Sequence, residues 1–362
     1  ISPDNVYLKR IYESVESIMK HNEKTLWQNI KSGNLLPVYL IKGEESYLKQ
    51  KYATLLAGSV VPAGLEAFNF HRLAGENTNP EEIGTCVEAH PAMCEKSCVF
   101  VHDFDFDGAN ETEKEELLAL LSDLPDTCVL IFWQDTKGFS TKTKLSKEIL
   151  SAIDKNGAVC TLEKRDQRAL VKFVVSECEK RDRSISFDTA LYFVNCVGDD
   201  MSNIINEIDK VCAFSSSEIK REDIDKVAVK SLEATAFQMI DSMLSNNFEK
   251  AFFELSLLFE RRTEPTMILG ALVSTYADMY RIKLTFDSGH KKTDLKAAYP
   301  VMYKNDFKLN NAAGRARRFS LFGLRRSLDI LAEADFRLKS SFDDNRIVFE
   351  KLIVELSKVR AL

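Results

Sequence analysis

Gly43, Glu44 and Glu45 follow the β-forming run Val38 to Ile41 and open a helix-like stretch carrying Tyr47 and Leu48, so they occupy a strand-turn-helix junction. In a nucleotide-binding α/β protein this junction holds the loop GxxxxGK[ST], whose backbone amides and lysine cradle phosphates. Here only Gly43 is present, no Gly-Lys-Ser/Thr follows, and two carboxylates stand where phosphate oxygens would lie. A like-charge contact at about 4 Å costs roughly 4 kcal/mol at an effective dielectric near 20, so the turn is expected to repel a nucleotide. Glu44 and Glu45 also suit the positive end of a helix dipole.

Cys98 to Asp103, CVFVHD, has the form of the apolar strand ending in Asp that holds magnesium in nucleoside triphosphatases, but Phe104 replaces the second acid. Asp103, Asp105, Asp107 and Gly108 match the opening of a calcium loop, D-x-D-x-D-G. Lys114 occupies the position of the bidentate glutamate that would close the cage. An acidic surface loop is expected instead. Cys86, His90, Cys94 and Cys98 recur every four residues; on one helix they would spread over about 18 Å, too far for one tetrahedral ion, and Pro91 interrupts the run. Gly198 to Asn203, GDDMSN, falls where such enzymes carry a sensor arginine and has none. No serine or cysteine sits in a nucleophile elbow. The residues therefore predict no catalytic group, no metal and no cofactor, on a scaffold suited to a motor that has lost its fuel site.

Arg315, Arg317, Arg318, Arg325 and Arg326, interleaved with Phe319, Leu321, Phe322 and Leu324, could meet phosphates or a partner subunit, or form the solvated face of an amphipathic helix.

The elements that would position these residues alternate. Strand-like runs at Val38 to Ile41, Ala67 to His71, Cys98 to Val101, Cys128 to Trp133 and Ala158 to Leu162 are separated by helical patterns near Ser46 to Ala57, Pro80 to Ala89, Glu111 to Leu121 and Lys142 to Ile153. Such alternation predicts βαβ units and a mostly parallel sheet with helices on both faces. Before it, Leu8, Ile11, Val15 and Ile18, then Leu26, Trp27 and Ile30, read as a helical lead-in over 1–34 packed on the first domain. After Leu162 the strand signal stops. Arg165 to Arg181, Phe187 to Val197, Met201 to Phe214 and Arg221 to Val229 form a small helical unit, with Asp166 and Asp188 as N-terminal caps and Gly198 as a stop. Further helices are expected at Ala236 to Leu244, Phe248 to Phe259, Pro265 to Phe286, Tyr299 to Leu309, Leu321 to Leu338 and Arg346 to Val359, the last with the apolar stripe Phe349, Leu352, Ile353 and Leu356.

At 362 residues the chain is long enough for two or three domains. Its net charge of −6 argues against coating nucleic acid by bulk charge and leaves room only for a local basic face. No run approaches the roughly 18 apolar residues of a membrane span, and no signal peptide is evident, so a cytoplasmic protein is expected. The 8 cysteines, without a CxxC, suit reduced core positions.

Taken in order, LLPVYLIKGEESYLKQ, EAHPAMCEKSCVFVHDF, TCVLIFW, FVNCVGDDMSNIINEIDKV and EADFRLKSSFDDNRIVFEKLIVEL resemble the delta-subunit family of the bacterial DNA polymerase III clamp loader. The resemblance implies an AAA+-like α/β domain over 35–163, a helical lid over 164–232, and an all-α collar over 233–362 that builds a five-subunit ring with motor and delta-prime subunits. It implies a chain without ATP hydrolysis of its own that works within the polymerase III holoenzyme at replication forks, near the nucleoid. There it would bind the sliding clamp and open it for placement around primer-template DNA. By the same resemblance the clamp-binding tip maps to Pro91, Ala92, Met93 and Cys94. The family places two large apolar side chains here, and Ala92 is small. Met93 is then expected to supply most of the anchor, contributing about 1.5 to 3 kcal/mol if fully buried, with neighbours such as Val87 sharing the load. Two other readings stay open: an active AAA+ ATPase of DNA metabolism, which would bind nucleotide in calorimetry, and a delta-prime-like scaffold, which would ignore purified clamp.

Overall fold

Val38, Tyr39, Leu40 and Ile41 are all fully buried, the mark of a strand covered on both faces. The computed structural model describes residues 21–75, 77–300, 303, 307–340 and 344–359; Leu8, Ile11, Val15 and Ile18 of the expected lead-in lie outside them. The chain divides into two units between Lys164 and Arg165.

In the first unit, α1 (His21–Ser32) precedes β1 (Val38–Gly43), α2 (Ser46–Val60), a one-turn α3 (Glu66–Asn69), β2 (Phe70–Ala74), α4 (Pro80–Glu88), β3 (Ser97–His102), α5 (Glu111–Ser122), β4 (Cys128–Trp133), α6 (Lys144–Asn156) and β5 (Gly157–Leu162). The five strands run parallel in the order β2-β3-β4-β1-β5. One sheet face, with Val38, Leu40, Val99, Val101, Leu130 and Phe132, packs on Ile83 and Val87 of α4, Leu117 and Leu121 of α5, and Ile149 and Ile153 of α6. On the other face α2 lies against β1, β3 and β4 and buries Leu48, Tyr52 and Leu56. Capping is local and legible: Asn79 precedes Pro80, and Asn110 with Glu113 forms a complete capping box, each cap contributing about 1 kcal/mol. This is the parallel α/β fold with helices on both faces that was expected, with one shift. The strand expected at Ala67 to His71 begins at Phe70, because Glu66–Asn69 winds into a turn of helix and the Asn69 amide donates back to the Leu65 carbonyl at 3.0 Å.

The second unit is largely helical. It holds α7 (Gln167–Glu179), α8 (Phe187–Val197), α9 (Met201–Phe214) and α10 (Arg221–Val227), with a two-residue parallel ladder between β6 (Ser184–Ile185) and β7 (Glu218–Ile219) that the sequence pattern did not announce. Asp166 caps α7 as expected. The cap of α8 is Ser186 rather than Asp188: its hydroxyl accepts from the Thr189 amide, and Asp188 sits inside the first turn. Gly198 ends that helix at φ 100°, a conformation open to glycine. Then follow α11 (Leu232–Leu244), α12 (Phe248–Glu260), α13 (Pro265–Asp287), α14 (Lys292–Ala298), α15 (Phe307–Ala316), α16 (Leu321–Ser340) and α17 (Asn345–Lys358) around one apolar core that includes Phe349, Leu352, Ile353 and Leu356. Of the helix expected from Tyr299 to Leu309, Phe307 to Leu309 belong to α15, Tyr299, Pro300 and Tyr303 are not helical, and Val301, Met302 and Lys304 to Asp306 lie outside the described residues. The α14 helix stops at Ala298, and Tyr303 is drawn into the core, where its hydroxyl meets Asp278 and Arg281 of α13. No helix among the described residues is long and apolar enough to cross a membrane.

Candidate functional site

The β1–α2 junction is closed by the chain itself. Gly43 takes φ 128°, and a Cβ there would fall on the Leu162 carbonyl at the end of β5. The Glu45 amide, which a phosphate loop would offer to a ligand, donates to that carbonyl at 3.0 Å. Glu45 is buried and Glu44 exposed. One turn along α2, Lys49 is 1% exposed and its ammonium reaches the Asp135 carbonyl at 2.7 Å and the Asp135 carboxylate at 3.1 Å. A cleft of about 570 Å3 opens elsewhere, between α2 and the β2 side of the sheet, and Arg72, Phe100 and Trp133 line it while Gly43, Glu44 and Glu45 do not.

Asp103 is a correction to the expected acidic surface loop. It is buried at φ 55° and accepts from the amides of Asp135 (2.6 Å), Thr136 (3.0 Å) and Lys137 (3.3 Å) and from the Thr136 hydroxyl (2.6 Å). Burial opposes its ionisation, but these four donors together outweigh burial and hold the carboxyl below its ordinary range. Asp105 accepts from the Lys137 ammonium and Asp107 from the Ser140 amide, while Phe104 and Phe106 enter the core. The acids thus stitch the loop after β3 to the loop after β4. No cluster able to hold a metal ion is found among the described residues, Cys86, His90, Cys94 and Cys98 included. All eight cysteines are free, and burial pushes the Cys160 thiol up to about 12.

The loop from α4 to β3 carries Pro91, Ala92, Met93 and Cys94 outward. Met93 is 86% exposed and sits at φ 63°. A non-glycine residue in that region costs on the order of 1 to 3 kcal/mol and persists only where its surroundings impose it. The imposing group is Asn69, fully buried, whose side-chain oxygen accepts from the Ala92 amide at 2.6 Å and whose amide donates to the Ala92 carbonyl at 2.9 Å. Cys94 is half-buried, its thiol directed to the Lys96 carbonyl. Val87, expected to share the load of the anchor, is fully buried between α4 and the sheet and cannot reach a partner. Asn69 escapes sequence reasoning because it reads only as a polar break between Phe68 and Phe70.

The arginine segment is not one patch. Arg315 is committed to Asp241, with contacts at 3.1 and 2.7 Å, and its guanidinium lies 4.5 Å from the centre of the Phe237 ring. Arg318 stands 3.9 Å from the same carboxylate. Arg317, Arg325 and Arg326 are exposed; Phe319 and Leu324 are buried, and Phe322 is exposed.

The first unit is thus a parallel α/β fold whose β1–α2 junction is closed by its own packing, and a largely helical unit follows it. The comparisons place this arrangement in a clamp-loader family. Residues 39–160 match the family described as DNA polymerase III, delta subunit, and residues 233–356 match the DNA polymerase III delta subunit, C-terminal domain. The DNA polymerase III subunit delta of Bacillus subtilis is 23% identical over 92% of this chain and 96% of its own length. The probable DNA polymerase III subunit delta of Aquifex aeolicus is also 23% identical, over 75% of this chain and 77% of its own. The solved structure of the Bacillus subtilis DNA clamp loader delta protein superimposes with a TM-score of 0.65 at 22% identity, covering 92% of this chain and 99% of that one. The chain belongs to the DNA polymerase III delta family and is a clamp-loader subunit.

Proposed function

We propose that this chain binds the sliding clamp through the Met93 tip and opens it at one interface for loading onto primer-template DNA, without hydrolysing ATP itself. The observation that carries the reading is the strained, 86% exposed Met93 held outward by the buried Asn69. An apolar side chain kept in water at a conformational cost is accounted for by a pocket that receives it. Binding energy realised only with the opened clamp would shift the clamp towards that state, since a ligand moves an equilibrium by its differential affinity alone.

In this reading residues 164–232 serve as the lid and 233–362 as the collar that joins the motor and delta-prime subunits. Exposed apolar side chains on the last two helices, Phe322, Phe336, Ile347 and Val354, support a subunit interface there. Arg317, Arg318, Arg325 and Arg326 remain candidates for DNA or a partner subunit, and the site of action is the cytoplasmic replication fork. The deciding experiment is a clamp pull-down with Met93→Asp. Loss of the clamp with unchanged folding supports the reading; retention removes the tip assignment.

A further inference from the structure

We infer that Phe68 is a second anchor of the clamp-binding surface, with Asn69 as the residue that fixes its position relative to Met93. This deepens the clamp reading and rests on it. Among the described residues of the first unit, three large apolar side chains count as exposed: Leu55 at 39%, Phe68 at 66% and Met93 at 86%. The two most exposed come from segments 25 residues apart in sequence, yet each is the immediate chain neighbour of one half of a hydrogen-bonded pair. Phe68 adjoins Asn69, and Met93 adjoins Ala92, and the Asn69 side chain holds both the amide and the carbonyl of Ala92. One Cα step is about 3.8 Å, so both anchors emerge beside the same clasp.

The chemistry of the clasp favours a rigid pair. The Asn69 amide also donates to the Leu65 carbonyl at 3.0 Å, which ties the same side chain into the one-turn helix carrying Phe68. A fully buried asparagine bonded on both sides fixes the two segments as one body. The partner it fits is an apolar surface of the clamp that receives large side chains from both segments. The tip loop itself offers only one, because Ala92 is small and Val87 is buried. Phenylalanine supplies more contact area than any other exposed apolar side chain of this unit, and aromatic residues are enriched among binding hot spots.

The test measures binding of the full-length chain to immobilised purified sliding clamp, with thermal melts alongside. Phe68→Ala is expected to weaken binding about ten- to a hundredfold, the amount for removing one well-buried aromatic or aliphatic anchor, at an unchanged melting temperature because the ring is solvent-facing. Asn69→Ala is expected to weaken binding with Phe68 and Met93 both intact, and to weaken it by a smaller factor in a Phe68→Ala background, where only the Met93 share is left to lose, the coupling a positioning role requires. Should Asn69→Ala fail to fold, Phe68→Ala alone decides. Wild-type affinity in Phe68→Ala together with loss in Met93→Asp would overturn this inference and leave the clamp reading standing; wild-type affinity in both would remove the two together.

Discussion

The Lys49 ammonium lies 3.1 Å from the Asp135 carboxylate and 2.7 Å from the Asp135 carbonyl, joining α2 to the loop after β4. Lys49 is 1% exposed, so its charge is paid for by that one residue.

Lys49→Met tests whether this pair is structural. Removing one partner of a buried ion pair costs about 3 to 5 kcal/mol, and the partial exposure of Asp135, 30% for its side chain, brings the expected loss to the lower end of that range. The melting temperature should fall by several degrees. ATP titration in calorimetry should give no heat for either protein. A lysine serving nucleotide would show the reverse: binding in the wild type, lost in the variant.

Asp103 should make stability depend on acid pH. Its folded carboxyl ionises below the ordinary range, so in the unfolded chain it takes up a proton first as pH falls. The contribution is therefore fully present above the unfolded value, about 4, and disappears as pH drops through the lower folded value. Asp103→Asn removes the charge and turns an amide towards four donors, costing about 1 to 3 kcal/mol at pH 7. Calorimetric melts from pH 7 down to pH 3 should show the wild type and the variant converging. A constant gap across that range would rule out the assigned role of the carboxylate.

The fold was legible where burial is two-sided. Strands such as Val38–Gly43 and Cys128–Trp133 are continuous apolar runs because helices cover both faces, and such runs announce themselves locally. The site was legible only in part. The missing phosphate loop could be read at Gly43, but what replaced it could not, since Asp103 is bonded to residues 32 to 34 positions away and Asn69 to one 23 away. Single side-chain bonds of that range leave no periodic trace. The strand misplaced at Ala67 to His71 has in part the same origin: FNF alternates like a strand, but Asn69 is turned inward by the distant Ala92 together with the Leu65 carbonyl four residues back.

Met93 should show stability and function in opposition. At φ 63° the methionine side chain is strained, and glycine at that position is not. Met93→Gly is therefore expected to offset its greater unfolded-state entropy and leave the protein as stable or more stable, by up to about 1 kcal/mol, while removing the exposed side chain and with it clamp binding. Met93→Ala keeps the strain and loses the anchor, so it should melt below Met93→Gly and bind as poorly. Melts of the three proteins and clamp binding by each separate the terms. If Met93→Gly melts well below the wild type, the side chain contributes to folding, its exposure notwithstanding, and the strain is not held for a partner.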